Sequence, residues 1–153
     1  MNNYEYNIEI PSRFQKEHTI SKEKISLAID NALKKLEANM SKFGDKFPQL
    51  IPNEPDSNTY YPGDNSNWTC GMYTGCYILA YELSGEKKFL DFAKTHMASY
   101  QKRLDEKIEI HDHDVGFVYS PSCVAYYKQT GDESIRKLAL DAAEHLYKVS
   151  YSI

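Results

Sequence analysis

The sequence of 153 residues lacks an excess of basic residues, a long hydrophobic run and a recognisable leader segment. Eighteen Lys and Arg stand against 22 Asp and Glu, which gives a net charge of −4. Nucleic acid and an anionic membrane surface both reward a basic face, so neither is expected as a partner. No apolar stretch approaches the roughly 18 residues of a membrane span, and the first residues show no secretion signal. We therefore expect a soluble protein.

Cysteine is also scarce. The three cysteines, Cys70, Cys76 and Cys123, form no CxxC motif. An odd number without paired spacing favours reduced thiols and argues against a zinc site. Together with the missing signal segment, this predicts a cytoplasmic location.

Tyrosine, in contrast, is abundant, with 13 residues beside six Phe and a single Trp. A tyrosine ring offers flat apolar area with a polar tip. Such surfaces suit a wet, sugar-like ligand, and they also suit half-buried contacts between helices.

Apolar residues recur at three- and four-residue steps in five segments, which is typical of amphipathic helices. We predict helices over residues 21–43, 68–83, 86–104, 120–129 and 133–149, the fourth opened by Ser120 as a cap and Pro121 in its first turn. In the second helix the spacing places Met72, Cys76, Leu79, Ala80 and Leu83 on one side. Residues 1–20 are expected to form an arm or edge strand, and residues 45–67, with four prolines, a loop.

Two of the helical segments repeat. The pattern Y-x3-G-x3-F-x3-A that begins at Tyr81 recurs as Y-x3-G-x3-I-x3-A from Tyr127, and the glycines Gly85 and Gly131 are 46 residues apart. A period of this length indicates an all-α helical-hairpin array, either an open solenoid or a closed toroid. About two and a half hairpins are too few to close a ring, so we expect residues 21–153 to be an incomplete part of a longer array.

The first candidate site segment is NWTCGMYTG, residues 67–75, where the long loop meets the second helix. Gly71 and Gly75 weaken an early helical turn, which indicates close packing or the approach of a ligand. Trp68 could stack on a sugar ring, or it could anchor the loop to the core.

The second candidate segment is HDHDVGF, residues 111–117. An aspartate beside an imidazole could serve proton transfer, the group could bind a metal, or the aspartates could simply cap a helix. In an extended segment His111 and His113 would face away from Asp112 and Asp114, which is poor geometry for one metal ion. Asp114 follows Trp68 by one repeat of 46 residues, so we expect both at the same end of the array.

At these residues the sequence resembles the unsaturated glucuronyl hydrolases, glycoside hydrolase family 88. That family carries N-x-W-T-x-G-F-W-x-G followed by a hairpin and then H-D-x-G-F. Asn65 or Asn67 stands near the matching W-T-x-G-M-Y-x-G from Trp68, and His113 begins H-D-V-G-F. Met72 and Tyr73 replace the family's Phe-Trp pair.

The resemblance implies an α/α six-hairpin toroid that acts on oligosaccharides left by polysaccharide lyases. Such enzymes hydrate the C4–C5 double bond of a terminal unsaturated uronic acid and so release it, with no metal or organic cofactor. It implies a supporting catalytic role for Asp114 and substrate binding by Trp68, His113, Asn67, Tyr73 and Phe117. The family's principal acid/base lies on a later hairpin, beyond residue 153.

Two other functions remain open at this point. A small helical-repeat module could bind a peptide or glycan on its tyrosines. Alternatively, the chain could be half of a split enzyme, completed by a C-terminal partner polypeptide or by self-association through an exposed apolar helix edge.

Overall fold

The computed structural model describes residues 20–52, 54, 57 and 59–150. The predicted N-terminal arm therefore lies outside the described residues, apart from residue 20. The chain divides into two compact units between Ala32 and Leu33. The described part of the first unit is the start of one helix with exposed side chains, among them Ile25 and Leu27.

The described helices are α1 (Lys22–Phe43), α2 (Thr69–Ser84), α3 (Lys87–Thr95), α4 (Met97–Asp105), α5 (Asp114–Tyr119), α6 (Ala125–Thr130) and α7 (Glu133–Ser150). A π-helical turn, Ser120–Val124, joins α5 to α6. Strands β1 (Phe47–Pro52) and β2 (Tyr60–Gly63) lie between α1 and α2. None of these described helices is both long and apolar enough to cross a membrane.

The 46-residue repeat is confirmed as a repeat of helix endings. Gly85 ends α2 with φ +71°, and Gly131 ends α6 with φ +68°. The amide of Gly85 donates to the carbonyl of Tyr81 at 2.8 Å, and that of Gly131 donates to the carbonyl of Tyr127 at 2.7 Å. Left-handed backbone of this kind favours glycine because it has no Cβ. The same ending therefore turns the chain in both hairpins.

The core lies between the two hairpins. Helix α2 packs against α3, α5 and the π-helical turn, and α7 packs against α5 and the same turn. Phe89, Ala93 and Tyr100 are buried from α3 and α4, and Leu138 and Ala142 from α7.

The predicted loop over residues 45–67 is wrong at Phe47–Pro52 and Tyr60–Gly63, which pair as the antiparallel strands of a hairpin. Phe47 pairs with Gly63 and Pro52 with Tyr60, with a register shift between Pro48 and Pro52. Prolines are tolerated at strand edges and bulges, so their number did not exclude strands. Phe47 is buried and its ring lies 4.6 Å from that of His96, which fastens the hairpin to the core.

The third predicted helix is divided at His96 into α3 and α4. The amide of His96 donates to Ala93, three residues back, and the amide of Ser99 donates to His96 in the same way. The Ser99 hydroxyl also donates to the His96 carbonyl at 2.7 Å. Hydroxyl groups that compete for helix carbonyls commonly tighten or bend a helix.

The predicted start of the fourth helix at Ser120 is wrong. The chain is already helical from Asp114, because the Asp112 carboxylate accepts the Asp114 amide at 2.9 Å and begins the helix there. Pro121 has no N–H to continue the α-helical ladder, and it lies in the π-helical turn. Such turns are inserted into α-helices where the ladder is disturbed.

Helix α2 keeps an apolar row on its exposed side. Met72, Cys76, Leu79 and Leu83 are all exposed, whereas Ala80 of the same predicted face is buried. We name these four exposed residues the apolar seam. Helix α2 carries one charged residue, Glu82, and a helix that is apolar all round is typical of one covered on every side.

We expect the stability of the chain to fall with acidification because of His96. Its ring is fully buried, with Nδ1 2.9 Å from the Thr74 hydroxyl and Nε2 without a partner among the described residues. Burial lowers the pKa of His96 to about 4, so the unfolded chain takes up a proton near pH 6.5 and the folded chain does not. Stability is therefore lost between pH 6.5 and 4, by about 3 kcal/mol in total.

Urea unfolding at pH 7 and pH 4.5 checks this expectation. His96→Gln should show a smaller loss between the two pH values than the wild type, because its side chain does not titrate. His111→Gln, at an exposed position, is the control and should keep the wild-type loss. An equal pH dependence in wild type and His96→Gln would contradict the assignment.

Candidate functional site

Two loops meet where α2 and α5 begin, and a cavity of about 190 Å³ lies between them. The first loop contributes Ser66, Asn67 and Trp68, the second contributes Glu109, Asp112 and Asp114, and Arg103 of α4 completes the lining. The structure thus places Trp68 and Asp114 at one cavity, as their spacing of one repeat predicted.

Gly71 allows this meeting of the two helix starts. A Cβ added to Gly71 would lie 2.3 Å from the carbonyl oxygens of both Phe117 and Val118. One turn further along, a Cβ on Gly75 would lie 2.9 Å from the carbonyl oxygen of Pro121. The backbones of α2 and α5 therefore cross in contact, and only glycine at position 71 leaves room for it.

An aromatic row runs from Trp68 along the start of α5. The ring centroids of Trp68 and Phe117 are 6.0 Å apart and tilted by 58°, and those of His113 and Phe117 are 6.4 Å apart. Trp68 is 43% exposed and Phe117 47% exposed. Exposed rings next to each other offer apolar surface, and the face of a single ring is of the kind on which a sugar can stack.

Asp114 is the first residue of α5, and its carboxylate is partly exposed. Its Oδ1 lies 3.5 Å from Nε2 of His113. The Asp112 carboxylate holds the Asp114 backbone by accepting the hydrogen bond of its amide, as described above. Asp114 is thus a carboxylate on a fixed backbone, open to the cavity and beside an imidazole, as a group that exchanges protons with a ligand requires.

The same three residues are the group whose donor atoms could hold a cation. One donor atom from each of Asp112, His113 and Asp114 lies within 4.8 Å of the others. The segment is a turn and a helix start and is not extended, so the arrangement in which its histidines and aspartates would face apart does not occur. Asp112 and His113 are exposed, and exposed acidic groups are common without an ion, so we assign no metal to them.

Asn67 and Tyr73 have structural partners instead. The Asn67 side-chain oxygen accepts from the Thr69 amide at 3.0 Å and from its hydroxyl at 2.5 Å, so it caps the start of α2. The Tyr73 hydroxyl lies 2.9 Å from that of Tyr77, and burial raises the pKa of Tyr73 to about 12. Asn67 still lines the cavity, whereas Tyr73 packs among core rings and does not.

Arg103 is the buried residue of the cavity lining that the sequence pattern did not identify. It is 1% exposed, although arginine is seldom fully buried. One signal was available: His96, Tyr100 and Arg103 follow each other at steps of four and three residues, so the arginine falls on the buried side of its helix.

Comparison with known proteins agrees with this geometry. Residues 40–152 match the profile of Glycosyl Hydrolase Family 88. The chain therefore belongs to that family, and its helical hairpins are part of an all-α toroid.

Individual relatives carry more specific names. The chain is 37% identical over 139 residues to the unsaturated chondroitin disaccharide hydrolase of Streptococcus agalactiae, a match that covers 91% of this chain and 34% of the relative. It is 41% identical over 121 residues to the unsaturated glucuronyl hydrolase of Bacillus sp. strain GL1, covering 79% and 31%. The chain thus spans about a third of the length of the curated relatives it matches.

A solved structure shows the same fold. A crystal structure of a mutant unsaturated glucuronyl hydrolase from S. agalactiae, complexed with dGlcA-GalNAc6S, superposes with a TM-score of 0.79 at 35% identity. The superposition covers 94% of this chain and 37% of that one.

Proposed function

We propose that this chain takes part in the release of 4,5-unsaturated uronic acid from oligosaccharides produced by polysaccharide lyases. The observation that carries the proposal is the shared cavity of Trp68 and Asp114, in a chain of Family 88. In the proposed reaction a proton adds to C4 of the vinyl ether and the oxygen of water adds to C5. The resulting hemiketal opens, and the remaining sugar leaves as the free alcohol.

Each site residue predicted from the sequence, apart from Tyr73, receives a part in this proposal. Trp68 stacks on the apolar face of the unsaturated ring and Phe117 contacts its edge, since both rings are exposed and adjacent. His113 donates to or accepts from a sugar hydroxyl, and Asp114 supports the proton transfer. Asn67 acts through the helix start that it caps. No metal or organic cofactor enters the proposed reaction.

A neighbouring cavity offers room for the sugar that leaves. Its volume is about 480 Å³, it shares Ser66 with the first cavity, and its lining includes the side chains of Gln49, Asp64, Ser99 and Lys102. Amide, hydroxyl and charged groups of this kind hydrogen-bond a hydrated ring. We therefore propose a disaccharide or longer chain as substrate, with glycosaminoglycan fragments as the first class to test.

The apolar seam supports a further element of the proposal, namely its partner. Because the chain spans a third of its relatives and the exposed side of α2 is apolar, we propose that further helical hairpins of the Family 88 fold cover the seam. These hairpins could belong to the same polypeptide or to a second one. Self-association of the chain alone would use the same surface.

The test follows the double bond by its absorbance during incubation with an unsaturated chondroitin disaccharide. The assay is run with the chain alone and with the chain mixed with a polypeptide made from the remaining two-thirds of the S. agalactiae relative. We expect loss of the absorbance in the mixture and quenching of Trp68 fluorescence on binding. A disaccharide with a reduced double bond should give no absorbance change.

Leu79→Glu is the control for the partner. It places a charge on the seam at an exposed position, so the chain should stay folded while the mixture loses turnover. Binding of the disaccharide without turnover in either preparation would favour the helical-repeat binding module. The absence of both binding and turnover would contradict the proposed function.

The proposed location is the cytoplasm. Its support is chemical: Cys70, Cys76 and Cys123 are all free thiols, and free thiols persist in a reducing compartment.

A further inference from the structure

Arg103 joins the two loops that form the cavity. Its Nη1 donates to the Asn67 carbonyl at 2.8 Å and to the Asn65 side-chain oxygen at 2.9 Å. Its Nε donates to the Ile108 carbonyl at 3.0 Å, and its Nη2 donates to the Glu109 carbonyl at 2.9 Å. The guanidinium group thus uses four of its five N–H groups. Two of these bonds go to the loop before Trp68 and two to the loop before Asp114.

The second loop has an unusual backbone that these bonds hold in place. Lys107 and Glu109 have φ values of +54° and +46°, in the left-handed region that non-glycine residues seldom occupy. Strained backbone of this kind persists where its surroundings hold it in place. Arg103 holds the backbone at Ile108 and Glu109. The His145 ring, 2.7 Å from the Ile110 carbonyl, holds the next residue in the same way.

The buried guanidinium group of Arg103 is held by neutral hydrogen-bond acceptors and not by an ion pair. All four acceptors are neutral oxygens, and no carboxylate lies within ion-pair distance of Arg103 among the residues that the structure describes. A buried cation without a paired anion is costly unless it is fully hydrogen-bonded. Because Arg103 is bonded to neutral oxygens, it forms no ion pair with the Asp114 carboxylate. Asp114 therefore stays free to interact with a ligand.

We propose that Arg103 is a positioning residue that sets the spacing between Trp68 and Asp114, and therefore the width of the cleft that receives the unsaturated sugar. Its planar fork reaches both loops at once, which the single nitrogen of a lysine does not do with the same geometry. This proposal rests on the proposed function only for the identity of the ligand, an unsaturated sugar. The spacing itself is a property of the sugar-free chain.

The experiment reads the cleft through its single tryptophan. Incorporation of 5-fluorotryptophan gives one ¹⁹F resonance, since Trp68 is the only tryptophan of the sequence. In Arg103→Lys and Arg103→Met we expect this resonance to move or split by more than its linewidth without sugar. We also expect the Kd for the unsaturated chondroitin disaccharide to rise by about tenfold or more, because small misplacements of site groups have large effects. Arg136→Met, which removes an exposed arginine of α7, should leave both readouts unchanged.

A role in stability alone would give a different result. It would lower the Tm of both Arg103 variants while the ¹⁹F spectrum and the Kd, measured below the Tm, stayed as in the wild type, and that outcome overturns the proposal. If circular dichroism shows that these variants do not fold, Asn65→Ala decides, because it removes one acceptor and should shift the resonance in the same direction by less. An unchanged resonance in folded Asn65→Ala would then overturn it.

The two proposals can fail separately. A wild-type chain that does not bind the disaccharide contradicts the proposed function, whereas the sugar-free spectra still decide the role of Arg103.

Discussion

Asp114→Asn is expected to lower the hydration rate of the unsaturated disaccharide by about 100-fold or more, the usual contribution of a positioned proton-transfer group. Asparagine keeps the shape of the side chain and cannot exchange the proton. Binding should change little, because Trp68 and Phe117 retain their contact. The measurement is the initial rate of absorbance loss in the active preparation, together with the Kd from Trp68 fluorescence.

Asp112→Asn is the matched control for this variant. It removes the same charge two residues away, and its side-chain oxygen can still accept the Asp114 amide that begins α5. We expect it to change the rate little. A variant Asp114→Asn that keeps most of the wild-type rate, with Asp112→Asn inactive, would move the catalytic role from Asp114 to its neighbour.

Gly71→Ala is expected to have the largest effect on stability. The added methyl group meets two backbone carbonyl oxygens at 2.3 Å, and neither can turn away as a side chain could. Overpacking of this kind costs about 3 kcal/mol, which lowers the Tm by roughly 6–12 °C in a chain of this length. The separation of α2 from α5 should also move Trp68 away from Phe117, which the ¹⁹F resonance of Trp68 reports.

Gly116→Ala gives the opposite result on the facing helix. Gly116 lies within α5, and an added Cβ meets nothing within 4 Å. Alanine in a helix restricts the unfolded chain more than glycine does, so we expect a gain of about 0.5–1 kcal/mol. Calorimetry of both variants checks the pair. A similar Tm for Gly71→Ala and the wild type would show that the two helices do not cross in contact.

The sequence predicted the parts of this fold that depend on local chemistry. Ser21 caps α1, with its hydroxyl 3.3 Å from the Lys24 amide, and Gly44 ends that helix with φ +57°. Gly85 and Gly131 end their helices in the same way. These residues act through their own backbone or through a neighbour within one turn, so a pattern of residue types was sufficient to predict where these helices end and where the first one begins.

The errors lie where distant contacts decide the structure. The β-hairpin depends on Phe47, whose ring enters a cluster built by α2, α3 and α4. The spacing on α2 grouped the buried Ala80 with the four seam residues, and it could not tell the covered side of the helix from the exposed one. Pro121 was expected to open a helix, whereas it interrupts one that Asp112 has already begun.

The position of Trp68 and Asp114 at one end of the array was predicted, whereas the buried Arg103 that bonds to both loops was not. The meeting of Trp68 and Asp114 followed from the repeat alone. Arg103 was not predicted because a single arginine forms no motif. Its four hydrogen bonds depend on carbonyl groups from two loops that are distant in the sequence. Tyr73 was assigned to the site through a resemblance, yet its ring faces the core.

The matched endings of the two hairpins have a consequence for how specificity is distributed. Trp68 precedes α2 directly and Asp114 opens α5, so each repeat unit presents one loop at the same rim. A binding surface assembled in this way is modular: each unit added in the same register supplies one more side chain, and a single loop can be exchanged without altering the scaffold. The side chains at this rim can then diverge loop by loop while the helices stay the same.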